Sequence, residues 1–312
     1  MASDDQEVLR SFVFGDPPGF FDVFRPLETY ECELRPTLQA FRMNLWSAIR
    51  VANVPFELTN RSVLDQRFDR LKLAELIRCR TKVELREITE TEVESVAHEI
   101  ALNRMSEELK NPEIISRHSE ETTALLRRHL ADGGFRASSQ ELLRQVLVIC
   151  WGAFEILAND TVKALLNAKP KMISRFMEVR PYREFLSARW LMDSLETRNF
   201  NLSSTMGEVF CEVVKLDSLE KIREAIRVGL GSDVIDAVLK DERLWKISQQ
   251  RHLIVHRRGI VDARYIERTS GNETIGGALM LEGQYIEGCL EVVRDVGCKI
   301  FSTAYERLSE GA

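Results

Sequence analysis

Apolar residues recur every three or four positions along most of this 312-residue chain, and this periodicity constrains its fold more than any other feature. Such spacing places the apolar side chains on one face of an α-helix. The clearest case follows Thr37, where Leu38, Phe41, Leu45 and Ile49 share a face. We therefore predict a mainly α-helical protein.

The same periodicity predicts further helices. They cover residues 64–79, 92–109, 120–130, 142–166, 171–180, 182–195, 205–214, 217–228, 232–258 and 285–308. Capping boxes at residues 89–92 and 138–141 predict two helix starts, because a hydroxyl and a carboxylate there can bond reciprocally to backbone amides. Residues 12–20 instead predict an extended segment that turns at a Pro-Pro-Gly sequence, either as a short hairpin or as an arm on a partner.

Length and charge limit the organisation of the chain. A length of 312 residues predicts about two domains of roughly 150 residues each. The clearest break is Ala131-Asp132-Gly133-Gly134. We predict a helical N-terminal region, residues 1–132, with a regulatory or dimerisation role, and a C-terminal domain, residues 138–310. The net charge of −6 argues against a surface coated with phosphate-binding lysines but allows a local basic patch.

The start of the sequence and the cysteines indicate the compartment. The first ten residues have neither a basic n-region nor an apolar h-region, so we expect no secretory signal. The longest apolar stretch, residues 146–158, is broken by Glu155 and is shorter than the ~20 residues that span a bilayer. Six cysteines without a CxxC pair predict reduced thiols. We expect a cytoplasmic protein with no membrane partner.

The residues that can carry chemistry lie at the end of the predicted helix 232–258. His252 and His256 are four residues apart and share a face, whereas Arg251 and His256 are offset by about 140° on an ideal helix. Gly259 stands where a left-handed residue would close the helix. Leu253 occupies the position where a zinc-protease HExxH motif needs glutamate, so we expect no metal.

The charges around His256 suit proton transfer. The negative end of the helix dipole favours its imidazolium form, whereas the neighbouring Arg257 and Arg258 oppose it. Basic residues outnumber acidic ones in this window, despite the acidic total. They are Lys246, Arg251, Arg257, Arg258, Arg264 and Arg268, against Asp262 and Glu267. We expect Asp262 to cap the segment that follows, and the apolar surroundings of Glu155 predict that it needs a hydrogen-bonding partner if it is buried.

The six residues from Arg251 to His256 resemble the signature of the HEPN superfamily: an arginine, a polar residue, and a histidine after a short gap. The flanks add to the resemblance. They are Gly259-Ile260-Val261-Asp262, Tyr265, the polar loop, the closing amphipathic helix, and Ala153-Phe154-Glu155 in the long apolar helix. The resemblance covers roughly residues 138–310. Arg257 departs from it, because related sequences often carry asparagine at this position.

The resemblance implies a HEPN-like helical bundle that forms a homodimer in which the two motifs face each other. It implies a metal-independent endoribonuclease, without a cofactor, that uses the ribose 2′-hydroxyl as nucleophile. His256 would act as general acid or base, Arg251 would bind the phosphorane oxygens, and His252 would support them. The predicted RNA contacts are Lys246, Arg257, Arg258 and Arg264. Family analogy suggests a toxin or phage-defence effector, with an antitoxin or regulatory protein as partner.

Two other interpretations remain at this point. A non-catalytic HEPN module for dimerisation or nucleotide binding could retain the motif. A plain helical scaffold would carry Arg251 and His256 as solvated cations at a helix end.

Overall fold

The computed structural model describes residues 19–84, 89–185, 188–231 and 233–309. The described residues form fourteen α-helices. They are α1 (Arg25–Glu28), α2 (Arg35–Glu84), α3 (Val93–Glu108), α4 (Pro112–Leu130), α5 (Gly133–Ala168), α6 (Ile173–Glu178), α7 (Arg180–Phe185), α8 (Ala188–Thr197), α9 (Met206–Val213), α10 (Leu219–Leu230), α11 (Asp233–Val238), α12 (Glu242–Arg257), α13 (Ala263–Thr269) and α14 (Gly283–Ser309). The same residues contain no strand, only an isolated antiparallel bridge between Ile260 and Ala278. The prediction of a mainly α-helical protein is confirmed.

The described residues divide into two compact units that interleave along the chain. One unit is Ala52–Gln140, and the other combines residues 19–51 with residues 141–309. Both boundaries therefore fall inside long helices, α2 and α5. The roles predicted for residues 1–132 and 138–310 stay predictions. Most of the predicted extended segment, residues 12–20, lies outside the described residues.

The unit Ala52–Gln140 is built from the second part of α2 with α3 and α4. The predicted capping box before α3 is confirmed, because the backbone N–H of Thr89 donates to Glu92 Oε2 at 2.9 Å. Helix α4 begins at Pro112, eight residues before its predicted start, because Asn111 caps it by accepting the Glu113 N–H at 2.9 Å. Small apolar clusters fill this unit. One contains Leu71, Ala101 and Met105, and the other contains Cys79, Val93 and Ala97.

Charged pairs supplement this small core. The carboxylate of Glu75 is almost fully buried and is bonded by Arg78 and Arg104. Arg67 forms a two-bond pair with Glu108, at 2.9 and 2.6 Å. These hydrogen bonds hold the pKa of Glu108 below its usual range. Bidentate arginine–carboxylate pairs of this kind fix the mutual orientation of helices α2 and α3.

The second unit is packed around α5 and α14. The face of α2 that the sequence predicted is confirmed, since Leu38, Phe41, Leu45 and Ile49 are all buried. Helix α5 is longer than predicted, and the capping box at residues 138–141 is wrong. The Ser138 hydroxyl donates to the Gly134 carbonyl within the helix, and Asp132 instead accepts the Phe135 N–H at 2.9 Å near the helix start.

The predicted helix 232–258 is two helices, α11 and α12. They separate because Asp241 accepts the Arg243 N–H at 2.8 Å and starts α12 as its N-cap. All six cysteines carry free thiols, as predicted. No helix in the described ranges is long and apolar enough to cross a membrane.

Candidate functional site

Helix α12 presents the predicted motif because its two faces differ in burial. Leu244, Ile247 and Leu253 are buried against the unit, so the opposite face carries the exposed His252 and His256. Arg251 lies at the edge of this face, with a quarter of its side chain exposed. The helix therefore places the motif residues at the surface near its C-terminal end.

The end of α12 has two consecutive left-handed residues. Gly259 has φ = +72°, as predicted, but Arg258 immediately before it also has φ = +55°. The Gly259 N–H donates to the Leu253 carbonyl at 3.2 Å, which closes the helix. A Cβ at Gly259 would lie 3.0 Å from Cδ of Arg144, and Arg144 itself donates to the Leu279 carbonyl at 3.0 Å. The site therefore ends in a backbone conformation that is fixed against α5.

His252 and His256 form a close pair of imidazoles. Their ring centroids lie 4.5 Å apart with a 48° angle between the planes. The pKa of His252 is lowered, first by its partial burial and then by the positive charges of His256, Arg264, Arg268 and Arg251. No third histidine, cysteine or carboxylate completes a metal-binding group with this pair within the part of the chain that the structure describes.

Glu155 of α5 is the acidic partner of Arg251. Its Oε2 lies 3.5 Å from Nη2 of Arg251, so the predicted need for a partner is met. Its other oxygen, Oε1, is buried without a hydrogen-bond partner. Burial raises the pKa of Glu155, while the Trp151 indole and Arg251 pull it down without cancelling the effect of burial. The carboxylate therefore pairs with Arg251 although burial destabilises its ionised form.

This balance predicts that Glu155→Gln stabilises the protein at neutral pH. The pKa of Glu155 in the folded state is raised above its ordinary value of 4.5. Below pH 4.5 the protonated side chain makes its full contribution to the free energy of unfolding, and this contribution is lost as pH rises through the folded-state pKa. Glutamine stays neutral at every pH, so the variant does not lose this stability at pH 7. We expect a higher melting temperature than wild type at pH 7 and no gain at pH 4, by differential scanning calorimetry.

The exposed mid-helix Glu99→Gln is the control, with no gain in melting temperature expected at either pH. A lower melting temperature at pH 7 for Glu155→Gln would show that the Arg251 pair outweighs the cost of burial.

The remaining predicted residues lie around the end of α12, except Lys246, which lies near the start of that helix. Asp262 caps α13 as expected, because its Oδ1 accepts the Tyr265 N–H at 2.8 Å. Its Oδ2 also lies 3.5 Å from Nε of the largely exposed Arg257. Arg258 and Arg264 are exposed. Lys246 is partly buried, with its ammonium 5.8 Å from the ring centroid of Tyr285, so it lies against α14.

Three residues at the site were not predicted from the sequence as site residues. The positive charge of Arg268 helps to lower the pKa of His252, and its guanidinium donates to Gln249 Oε1 at 3.0 Å. Trp151 and Asp217 both influence the carboxyl group of Glu155, and Asp217 also interacts electrostatically with Arg251. Arg268 belongs to the basic window already visible in the sequence. Trp151 is one turn before Glu155 on α5, a spacing that could have indicated it, whereas Asp217 carries no such signal.

A buried polar network lies behind α12. Gln250 is buried, and its Oε1 accepts the hydroxyl of Tyr285 at 2.6 Å. The hydroxyl of Tyr265 donates to Glu273 at 3.2 Å, and burial raises the pKa of Tyr265 to about 12. One oxygen of Glu273, Oε2, is buried without a hydrogen-bond partner, so the network is not fully satisfied. The Gln250–Tyr285 hydrogen bond joins α12 to α14 and restrains the rotation of α12.

The fold and this cluster define a mainly α-helical protein with a surface Arg/His site at a helix C-terminus. In comparisons with protein-family models, curated proteins and solved structures, no match to this chain is found.

Proposed function

We propose that the chain is a metal-independent endoribonuclease of the HEPN type, with Arg251 and His256 at its active centre. The observation that carries this proposal is the close pair of exposed imidazoles, His252 and His256, inside a group of arginines. Imidazoles transfer protons near neutral pH, and guanidinium groups bind phosphate oxygens. Together these groups can cleave a phosphodiester without a metal.

In the proposed reaction a ribose 2′-oxygen attacks the adjacent phosphorus while the bond to the 5′-oxygen breaks. One imidazole accepts the 2′-hydroxyl proton, and a protonated imidazole gives a proton to the leaving 5′-oxygen. Arg251 would stabilise the phosphorane, whose oxygens gain charge in the transition state. The products are a 2′,3′-cyclic phosphate and a 5′-hydroxyl. Arg257, Arg258 and Arg264 would bind neighbouring phosphates.

A homodimer would bring two copies of this site together, and exposed apolar side chains beside the motif support it. They are Val255 on α12, and Ile260, Ile275 and Met280 in the segment that follows it. Apolar side chains clustered beside a polar site are typical of interaction surfaces. We propose that this surface forms a dimer interface, with the two motifs close to its axis.

Ile260→Asp is expected to yield a monomer that has lost ribonuclease activity. Ile260 is 43% exposed, so the aspartate disturbs no core packing, but a buried charge would oppose association at the interface. Sedimentation velocity and an RNA cleavage assay on the same preparation measure both effects. Leu73→Asp, on α2 in the other unit and 60% exposed, is the matched control and should remain a dimer with full activity. A dimeric and active Ile260→Asp protein would contradict the proposed interface.

A second candidate is a non-catalytic module that binds RNA or nucleotides. The pairing of Arg251 with Glu155 favours it, because a paired guanidinium is less able to stabilise a phosphorane. The exposed Arg258 and Arg264 can still bind phosphates. The test is incubation of wild-type protein with RNA in EDTA, followed by analysis of the product ends. Products with cyclic phosphate and 5′-hydroxyl ends support the ribonuclease. Binding without cleavage would contradict it and favour the second candidate.

A further inference from the structure

A second basic site lies in the unit Ala52–Gln140, in a cavity of about 290 Å³ between α2 and α4. Its polar lining includes three arginines, Arg67, Arg70 and Arg117. Apolar side chains, among them Val63 and Ile114, form another part of the wall. The cavity thus combines groups that bind an anion with groups that contact an uncharged part of a ligand.

The unusual feature of this cavity is His118. The residue is only 6% exposed, and neither of its ring nitrogens has a hydrogen-bond partner. The nearest carboxylate oxygen, on Glu121, is 3.9 Å from Nδ1, beyond hydrogen-bond distance. Buried polar groups in folded proteins are almost always hydrogen-bonded, so such an exception needs an explanation. An imidazole has an N–H donor in every protonation state, and an oxygen of a bound anion would satisfy it.

The charges around the cavity also favour an anion. Arg67 is neutralised by its pair with Glu108. Arg70 and Arg117 are exposed, and neither has an ion pair with a carboxylate among the described residues. Glu121 is the single acidic residue in the lining. Positive charge therefore exceeds negative charge in the lining of the cavity. The positive groups are guanidiniums, whose fork of N–H donors matches phosphate oxygens.

We propose that this cavity binds a small phosphate monoester of about mononucleotide size. Ligand pockets commonly have volumes of about 300–1,000 Å³, so this cavity is at the lower end and suits one phosphorylated small molecule rather than a polymer. Arg70, Arg117 and His118 would bind the phosphate, and Val63 and Ile114 would contact the remainder. The site lies in a different unit from the Arg251 cluster and does not depend on the function proposed there.

Isothermal titration calorimetry of the full chain with AMP, inorganic phosphate and adenosine tests this proposal. We expect AMP to bind, phosphate to bind more weakly, and adenosine to give no signal. Arg70→Ala and Arg117→Ala should each weaken AMP binding by about tenfold or more, since each removes a charge-assisted hydrogen bond. Both residues are exposed, so these variants should fold. Arg128→Ala, an exposed arginine elsewhere on α4, is the matched control and should bind AMP as wild type does.

Two further variants complete the test. His118→Phe keeps a ring but removes both nitrogens, and it should weaken AMP binding if it folds. In an Arg251→Ala background, Arg70→Ala should still weaken AMP binding by about tenfold or more, which separates this site from the Arg/His cluster on α12. The proposal is overturned if AMP gives no signal at millimolar concentration, if neither Arg70→Ala nor Arg117→Ala weakens binding, or if Arg251→Ala abolishes it.

Discussion

Replacing His256 by alanine is expected to slow RNA cleavage by about a hundredfold to ten-thousandfold, the usual contribution of a positioned general acid or base. The exposed side chain is not part of the hydrophobic core, so the variant should fold and keep its melting temperature. Arg251→Ala should slow cleavage by about a hundredfold to a thousandfold, because it removes a donor that stabilises the phosphorane. Single-turnover cleavage of a labelled RNA in EDTA measures both rates.

Two control variants make this result specific to the site. His129→Ala removes an exposed histidine at the end of α4, and Arg243→Ala removes an exposed arginine at the other end of α12. Both should cleave RNA at the wild-type rate. If His256→Ala also cleaves at the wild-type rate, His256 is not the general acid or base. Equal losses in all four variants would point to unfolding or to nonspecific charge effects.

Gly297→Ala is expected to destabilise the protein by about 3 kcal/mol, the upper part of the usual range for overpacking a core. Gly297 lies on α14, where a Cβ would be 2.3 Å from Cζ of Phe41 and 2.8 Å from Cδ2 of Leu157. Both neighbours are fully buried, so neither side chain can move away without disturbing the packing of α2 or α5. At this chain length, about 3 kcal/mol corresponds to a fall in melting temperature of roughly 5 °C.

Gly288→Ala is the matched control on the same helix. A Cβ at Gly288 meets no atom within 4 Å, so alanine should stabilise α14 by about 0.5–1 kcal/mol through its higher helix propensity. Calorimetric melting of both variants beside wild type gives the comparison. A Gly297→Ala protein that melts within about 1 °C of wild type (the effect of a ~0.5 kcal/mol change) would contradict the packing of α14 against Phe41 and Leu157.

Much of the helical fold could be predicted because the repeat of the α-helix determines which side chains lie on its buried face. The spacing of Leu38, Phe41, Leu45 and Ile49 is sufficient to predict their common buried face. Helix starts were harder to predict, since several residues compete as caps. Asp132 caps α5 although Ser138 begins the more conspicuous motif, and Asn111 caps α4 eight residues ahead of the predicted start.

The candidate site was partly predictable because its motif is local. Arg251, His252 and His256 lie within two turns of one helix, and helix geometry alone places the two imidazoles on one face. Their surroundings depend on the tertiary fold. Glu155 lies almost a hundred residues before Arg251, so the apolar sequence around it predicted a partner without identifying it.

The cavity around His118 had no signal in the sequence for the same reason. Arg67 and Arg70 lie on α2, whereas Arg117 and His118 lie on α4, and both pairs occur in segments with many other charged residues. Only the packing of the two helices brings the three guanidinium groups together around an imidazole without a partner.

The most direct test of the proposed ribonuclease is cleavage of two strands of one sequence, one with ribose throughout and one with every 2′-hydroxyl methylated. Wild-type protein in EDTA should cleave the ribose strand, leave cyclic phosphate ends, and not cleave the methylated strand. Methylation removes the nucleophile while it keeps the phosphates that Arg251 would bind. Cleavage of both strands at the same rate, or of neither, would contradict the proposal that this chain cleaves RNA through the 2′-hydroxyl.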